Sequence, residues 1–377
     1  MARLGEIFTI SSGGTPNKNE SSYYDGGNIP WVKTGDLKDK YVAEEIECIT
    51  EEGLNNSSAK LFPKDTVLVA MYGATIGACS ILPYEASTNQ ACAAFLPCHE
   101  VIPEYLFYFL SGKKDQFVKD GVGGAQPNIS AGYLKNVKID LISLNDQQKI
   151  IDRLNKVDKL ISFRKQQLSK LDELVKSRFI EMFGDPQSNP YGYSYRKLSD
   201  IATYFNGLTY KPENVVETGT IVLRSSNIQN SQLDFADTIR VDCVIKDRFM
   251  VQENDILMCS RNGSAKLVGK VALIKGTLEP MSFGAFMMII RSQYFGYLMT
   301  YFQMDAFRQQ IKTGATTTIN QITGKMLDDV AIPLPPMALV EQFATFVEQI
   351  DKSKLAIQKS LEKLETLKKS LMQKYFG

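Results

Sequence analysis

The stretch LNKVDKLISFRKQQLSKLDELVKSRFIEMFG, residues 154–184, decides how this chain is organised, and VEQIDKSKLAIQKSLEKLETLKKSLMQKYFG answers it at 347–377. Positions spaced alternately by three and four give Leu154, Val157, Ile161, Arg164, Leu168, Leu171, Val175, Arg178 and Met182, seven apolar residues of nine. The second stretch gives Val347, Ile350, Lys354, Ile357, Leu361, Leu364, Lys368, Leu371 and Tyr375, again seven of nine. So narrow a stripe is the seam of a coiled coil rather than the broad apolar face of a globular helix. Neither span contains Pro or an internal Gly to break it. A helix of ~36 residues runs ~54 Å at ~1.5 Å per residue, too far for one small domain to cover, so the two helices are expected to pair with each other.

Working outward, the two helices close a longer duplication at an offset of 193 residues. Gly121, Ile129, Leu134, Val137, Ile139 and Leu141 recur as Gly314, Ile322, Leu327, Val330, Ile332 and Leu334. Asp158, Leu168, Leu171, Leu174, Ser177, Phe183 and Gly184 recur as Asp351, Leu361, Leu364, Leu367, Ser370, Phe376 and Gly377. A period this long exceeds the roughly 20–50 residues of stacked solenoid units, and each copy is large enough to bury its own core. The chain divides into a globular domain over 1–146, a helix over 147–184, a second globular domain over 185–340 and a helix over 341–377. Each domain lies between its own helix and the other, so antiparallel pairing is expected to set the domains at opposite ends of a rod.

Each globular domain reads as a mixed α/β (α+β) unit. Both open on an apolar pattern, Leu4-x-x-Ile7-Phe8 and Leu198-x-x-Ile201-Ala202, followed by the turns Ser11-Ser12-Gly13-Gly14-Thr15-Pro16 and Phe205-Asn206-Gly207-Leu208-Thr209. Strand-like runs Ile29–Lys33 and Thr220–Arg224 lead to polar tips at Thr34-Gly35-Asp36 and Ser225-Ser226-Asn227. Asp65–Val69 and Asp255–Cys259 read as buried strands, ending in the turns Tyr72–Gly77 and Arg261–Ser264. Helical stretches at Glu104–Leu110 and Phe295–Phe302 close the two domains.

Composition is that of a globular protein, 44% hydrophobic and 23% charged. No apolar run approaches the ~20 residues that span a bilayer, and Met1–Glu6 lacks a signal-peptide core, so a cytoplasmic protein without membrane contact is expected. The six cysteines form no C-x-x-C pair and are expected to be reduced core thiols. His99 is the single histidine and lies in a turn before a helix, which leaves no histidine pair for zinc and no good candidate general base. Net charge is −6 over 1–146, +4 over 147–184, +1 over 185–340 and +2 over 341–377. A protein gripping DNA by charge alone would carry a clear basic excess, so any DNA binding here is expected to rely on partners.

The arrangement resembles the specificity subunits of type I restriction-modification enzymes over essentially the whole chain. The matching segments are Ser12-Gly13-Gly14-Thr15-Pro16, Tyr72-Gly73-Ala74-Thr75-Ile76-Gly77, Gly123-Gly124-Ala125-Gln126-Pro127-Asn128-Ile129-Ser130, and Ile332-Pro333-Leu334-Pro335-Pro336 leading to Glu341-Gln342. The first half carries Ile139–Leu144 in place of the proline run, and the second opening turn lacks the Gly-Gly-Thr-Pro form. The resemblance implies two target recognition domains on an antiparallel coiled coil. It also implies a chain that is not itself an enzyme, docking two methyltransferase subunits, with restriction/translocase subunits beyond them. S-adenosylmethionine, ATP and Mg are then expected on the partner subunits, with no cofactor or metal in this chain.

Two similar domains on a stiff spacer would read two short, different sequences of double-stranded DNA at a fixed separation. Base readout calls for bidentate groups on loops that reach a groove, with hydroxyls and amides on phosphates. The polar tips supply Thr15, Lys33, Thr34, Tyr72, Gln126 and Asn128 in the first domain. In the second they supply Asn206, Thr209, Arg224, Ser225, Asn227, Arg261, Asn262, Thr316, Thr317 and Asn320. The apolar stripe residues Leu154, Val157, Ile161, Leu168, Leu171, Val175, Val347, Ile350, Ile357, Leu361, Leu364 and Leu371 are the expected coiled-coil and partner interface.

Other classes fit less well. Asn189-Pro190-Tyr191-Gly192 is similar to the adenine-holding loop of amino-methyltransferases but lacks its second proline and any accompanying cofactor loop, and reads as a linker. Gly121-Val122-Gly123-Gly124 has no following Lys-Ser/Thr and is no phosphate loop. Asp36, Asp39, Glu44, Glu45 and Glu47 could be drawn as a nuclease metal site, but a solvated acidic edge is the better reading. A protein-only coiled-coil scaffold and a stand-alone DNA-modifying enzyme stand as the alternatives.

Overall fold

The computed structural model describes residues 1–121, 128–276, 279–312 and 320–377, with the side chain of Lys312 outside that description. They form two compact units, Met1–Lys165 with Lys359–Gly377, and Gln166–Gln358.

In the first unit, four antiparallel strands lie in the order Ile10–Ser12, Cys92–Phe95, Val67–Ala70, Cys79–Ile81. A second sheet runs Cys48–Ile49, Ile29–Val32, Ala86–Thr88, Leu61–Phe62, and its Ile29–Val32/Ala86–Thr88 pair is parallel. The chain therefore leaves one sheet at Thr88 and enters the other at Cys92 through a three-residue corner, 89–91. The second unit repeats this plan. Thr203–Asn206, Met287–Arg291, Ile256–Cys259 and Val271–Leu273 form the antiparallel sheet. Thr220–Leu223 pairs in parallel with Met281–Phe283 in the other, and the corner is 284–286.

One central strand of each antiparallel sheet is apolar throughout because both of its faces are covered. Val67–Ala70 and Ile256–Cys259 are buried at every position, which explains continuous apolar runs where a half-exposed strand would alternate. Helix Pro103–Gly112 packs Tyr105, Leu106 and Phe109 onto the first sheet's core, and helix Phe295–Tyr301 does the same with Tyr297, Leu298 and Tyr301 in the second unit. Each domain is tied at its base by a two-stranded sheet joining its beginning to its end, Ala2–Arg3 with Lys138–Ile139 and Tyr195–Lys197 with Ala331–Pro333. Of the cysteines, Cys79, Cys92 and Cys259 are buried, whereas Cys48, Cys98 and Cys243 are only partly covered, so the expectation of six core thiols holds for half of them. Burial pushes the Cys79 and Cys92 thiols up to about 12, which keeps them protonated and unreactive near neutrality.

The two long helices are Leu144–Phe183 and Met337–Phe376, each 40 residues. The first begins where the Ser143 hydroxyl accepts from the Asp146 amide at 3.2 Å, and ends at Gly184 with φ +75°, the left-handed stop that glycine takes without strain. Within the first unit the helices run antiparallel. Arg153 Nη1 donates to the Tyr375 hydroxyl at 2.9 Å, Asp158 meets Lys368 at 2.6 Å, and Lys165 lies 3.7 Å from Glu365. Within the second unit the same sense continues, with Asp172 on Lys354 and Phe179 against Phe343 at 5.6 Å between ring centres. The sequence stripe is the covered face. Leu154, Val157 and Leu361 are buried, and the other stripe residues are half-buried, as a seam between only two helices must be. The helix ends also enter the domain cores. Ile151, Leu154 and Phe376 belong to the first domain's core, and Phe179, Phe183 and Phe343 to the second's.

Candidate nucleic-acid interface

The corner between the sheets gathers the polar tips. In the first unit, Gly14 N donates to Thr88 O at 2.9 Å, Asn89 N to Val32 O at 3.0 Å, Met71 N to Ala91 O at 2.9 Å, and Ile129 N to Met71 O at 3.0 Å. These bonds bring the opening turn, the tip after Val32, the turn after Ala70 and the segment at Asn128 onto one edge. In the second unit, Leu208 N donates to Phe283 O at 2.8 Å, Gly284 N to Leu223 O at 2.9 Å, Ser260 N to Phe286 O at 2.9 Å, and Ile322 N to Ser260 O at 2.7 Å. The correspondence is bond for bond. The opening turn must approach so closely that a Cβ on Gly13 would sit 1.9 Å from Thr88 O, and one on Gly207 would sit 2.1 Å from Phe283 O. Glycine is required at both places.

The matched bonds define equivalent positions: Thr15 with Thr209, Lys33 with Arg224, Thr34 with Ser225, Tyr72 with Arg261, and Asn128 with Gln321. The last two pairs are confirmed by isolated bridges, Tyr72 with Asn128 and Arg261 with Gln321. Each tip after the parallel strand is a short 3-10 turn, Thr34–Asp36 or Ser225–Asn227. Its last residue caps the basic residue before it: Lys33 N donates to Asp36 Oδ2 at 2.8 Å and Arg224 N to Asn227 Oδ1 at 2.9 Å.

The side chains differ in what they leave free. Thr15 Oγ1 donates to Gln90 Oε1 at 2.5 Å. Lys33 is held by Glu47, whose hydrogen bond and charge raise the lysine's pKa against the opposing effect of burial. Tyr72 is 44% exposed, and Asn128, Thr209, Arg261 and Asn320 are exposed as well. Arg224 Nη2 lies 2.8 Å from Asp237 Oδ2, yet neither Nη2 nor Nε makes an aligned hydrogen bond among the described residues. Arg224 is thus held on its turn by an ion pair with Asp237, as Lys33 is by Glu47. Thr34 and Ser225 are half-buried on their turns.

Four asparagines bond to the frame. Asn227, expected from its polar surroundings to face DNA, is fully buried, and its amide donates to Asp234 O at 2.8 Å and Asp237 O at 2.9 Å while its oxygen caps Arg224 N. That reading is corrected: it shapes the tip and has nothing left to offer a base. Asn206 Nδ2 is bound by Ser260 Oγ and Ala285 O, at 3.1 and 3.3 Å. Asn262 donates to Ser225 Oγ at 3.2 Å and accepts from Ser264 N at 2.9 Å. Asn320 Nδ2 reaches Gly263 O at 3.2 Å, joining the two loops of that edge. Gln126, Thr316 and Thr317 lie outside the described residues. Sequence reasoning missed the corner itself, Asn89-Gln90-Ala91 and Gly284-Ala285-Phe286, together with Gln321. The only signal would have been the short gap between two apolar strands.

Chemically, the first domain's edge offers hydroxyls, amides, a lysine and a tyrosine, and the second's offers hydroxyls, amides and two arginines. Among the described residues no group of His, Cys, Asp and Glu could hold a metal ion, and no helix is long and apolar enough to cross a membrane. Asp36 and Glu47, from the acidic run, are the cap and the ion-pair partner of Lys33.

Two similar mixed α/β modules, each followed by a long helix, display different side chains on one backbone frame. The chain belongs to the family of type I restriction modification DNA specificity domains, which match residues 1–173 and again 190–369. It is 25% identical to the type I restriction enzyme MjaIX specificity subunit of Methanocaldococcus jannaschii, over 99% of this chain and 91% of that one. The StySPI specificity subunit of Salmonella potsdam is 21% identical over 100% of this chain and 88% of its own. Among solved structures, the type I restriction-modification S subunit from M. genitalium matches with a TM-score of 0.56 at 14% identity, covering 100% of this chain and 95% of that one. A chain from a study of complex assembly and conformational transition of the type I R-M system matches at 0.61 and 18%, covering 100% and 96%.

Proposed function

We infer that this chain is the sequence-recognition subunit of a type I restriction-modification complex, each domain reading one half of a bipartite, asymmetric target in double-stranded DNA. The observation that carries this is the duplicated edge. Identical backbone hydrogen bonds would dock both domains on the duplex in the same way, while Lys33 against Arg224 and Tyr72 against Arg261 would make them choose different bases. The chemistry would belong to partners: two methyltransferase subunits carrying S-adenosylmethionine, and restriction subunits supplying ATP- and Mg-dependent translocation and cleavage. Exposed apolar residues on the helices outside their mutual seam support docking there, Leu160, Phe163 and Leu367 in the first unit and Leu174 and Leu355 in the second, each between 45% and 55% exposed. The net charge of +1 supports the same division of labour, because so little basic excess would hold DNA weakly without partners.

The test is to map methylated adenines in cells expressing the modification complex, before and after residues 1–146 are exchanged for the recognition domain of a relative. One half of the motif should change and the other should persist. An unchanged motif would leave only a scaffold role, and methyl transfer by this chain alone would make it an enzyme.

A further inference from the structure

Phe286 is the exception among the large apolar residues of the second domain's corner. Its ring is 60% exposed, whereas Phe283, three residues earlier, is fully buried. The fold does not need an aromatic ring there. The equivalent residue of the first domain is Ala91, whose carbonyl takes the Met71 amide as the Phe286 carbonyl takes that of Ser260, both at 2.9 Å. In the second domain that carbonyl is fixed further, accepting from Arg261 N at 3.1 Å and from Ser260 Oγ at 2.9 Å. The backbone under the ring is thus already ordered before any ligand arrives.

Beside the ring stands Arg261, its guanidinium carbon 5.4 Å from the ring centroid. A guanidinium held over an aromatic face is oriented without its donors being used. Bidentate donation to the O6 and N7 of guanine is the commonest specific use of arginine in the major groove, and an apolar side chain such as Phe contacts the thymine 5-methyl group. In the first domain the same two places hold Tyr72 and Ala91, so neither half of the pair is repeated there.

We propose that Arg261 and Phe286 read a thymine–guanine step in the second half-site, the guanidinium on guanine O6 and N7 and the ring against the thymine methyl group. The proposal rests on the DNA-reading role above and adds the base class that one edge selects.

The probe is a duplex carrying the mapped methylation motif, bound by the complex with its modification subunits. Thymines of the second half-site are replaced singly by deoxyuridine, which deletes only the methyl group, and guanines by 7-deazaguanine, which deletes N7. Wild type should lose roughly 4-fold in affinity at one thymine, the worth of burying about one methyl group. It should lose more at the neighbouring guanine. Phe286→Ala should bind thymine and uracil duplexes alike, and Arg261→Ala should be blind to the deaza change. Unaltered discrimination at the first half-site shows that each variant is folded. Wild-type indifference to every deoxyuridine, a second half-site without a thymine–guanine step, or a Phe286→Ala protein that still distinguishes uracil would overturn the pairing while leaving half-site recognition standing. Loss of all discrimination between second half-sites in wild type would instead strike the underlying reading.

Discussion

Lys33 and Arg224 occupy equivalent places on their domains, and the shape of their charged groups separates them. Each is ion-paired, Lys33 with Glu47 and Arg224 with Asp237, but Arg224 presents a planar fork of donors where Lys33 presents a single ammonium. Replacing Arg224 by Ala removes little folding energy, because Asp237 is 65% exposed and such pairs contribute about 0–1 kcal/mol. Recognition of the second half-site should nevertheless weaken by about 1–3 kcal/mol if the guanidinium meets a base edge, with the first half-site untouched. Titrating the complex against duplexes altered in one half at a time measures this; uniform weakening on unrelated DNA would mean a phosphate contact instead. At this scale the sequence was half legible. A polar tip after an apolar run picks out Thr15, Lys33 and Tyr72, which the structure gathers on the first domain's edge, and Arg261, which lies on the second's. It cannot tell a displayed amide from one that shapes a turn, because Asn227 has the same residue type and surroundings in either case. Phe286 was hidden for the opposite reason. It stands in the apolar run Gly284-Ala285-Phe286-Met287-Met288, where nothing in the pattern distinguishes a ring in the core from one in water.

The long helices were the most legible elements, since a three-four stripe over nine positions leaves one face to bury. Their ends are less simple than a coiled coil. Phe179 is fully buried and lies 4.9 Å from Tyr297 and 5.0 Å from Phe183 between ring centres, so the first helix is also a piece of the second domain's core. Phe179→Ala should therefore cost about 3–5 kcal/mol, the range for emptying a buried aromatic site. Calorimetry should show the transition of the second unit moving down while that of the first stays; a shift below about 1 kcal/mol would mean that this cluster is not the anchor its packing indicates. The duplicated strands were harder to align from sequence. The offset is 193 at Asn128 and Gln321 but 189 at Tyr72 and Arg261 and 195 at Ala91 and Phe286. Loop lengths drift between copies, and only the matched hydrogen bonds restore the register.

At the scale of the molecule, both helices continue through the division between the units, at Lys165/Gln166 in one and Gln358/Lys359 in the other. If helical length sets how many unread base pairs separate the half-sites, deleting one heptad from both helices at these places should shorten the gap by about 3 base pairs, ~10.5 Å at ~1.5 Å per residue. Seven residues return the apolar stripe nearly to phase, so pairing survives the deletion. Methylation mapping reads the new motif directly, and an unchanged gap would mean that helix length does not set the spacing of the half-sites.

The hydrogen bonds that the two edges share are made from peptide groups, the one kind of atom every amino acid contributes apart from the proline N–H. On the function proposed above, mutation at Tyr72, Arg261, Ala91 or Phe286 would rewrite what is sensed while those shared bonds stay in place. Such an arrangement would let a lineage sample new targets by single steps, each tolerated by the scaffold.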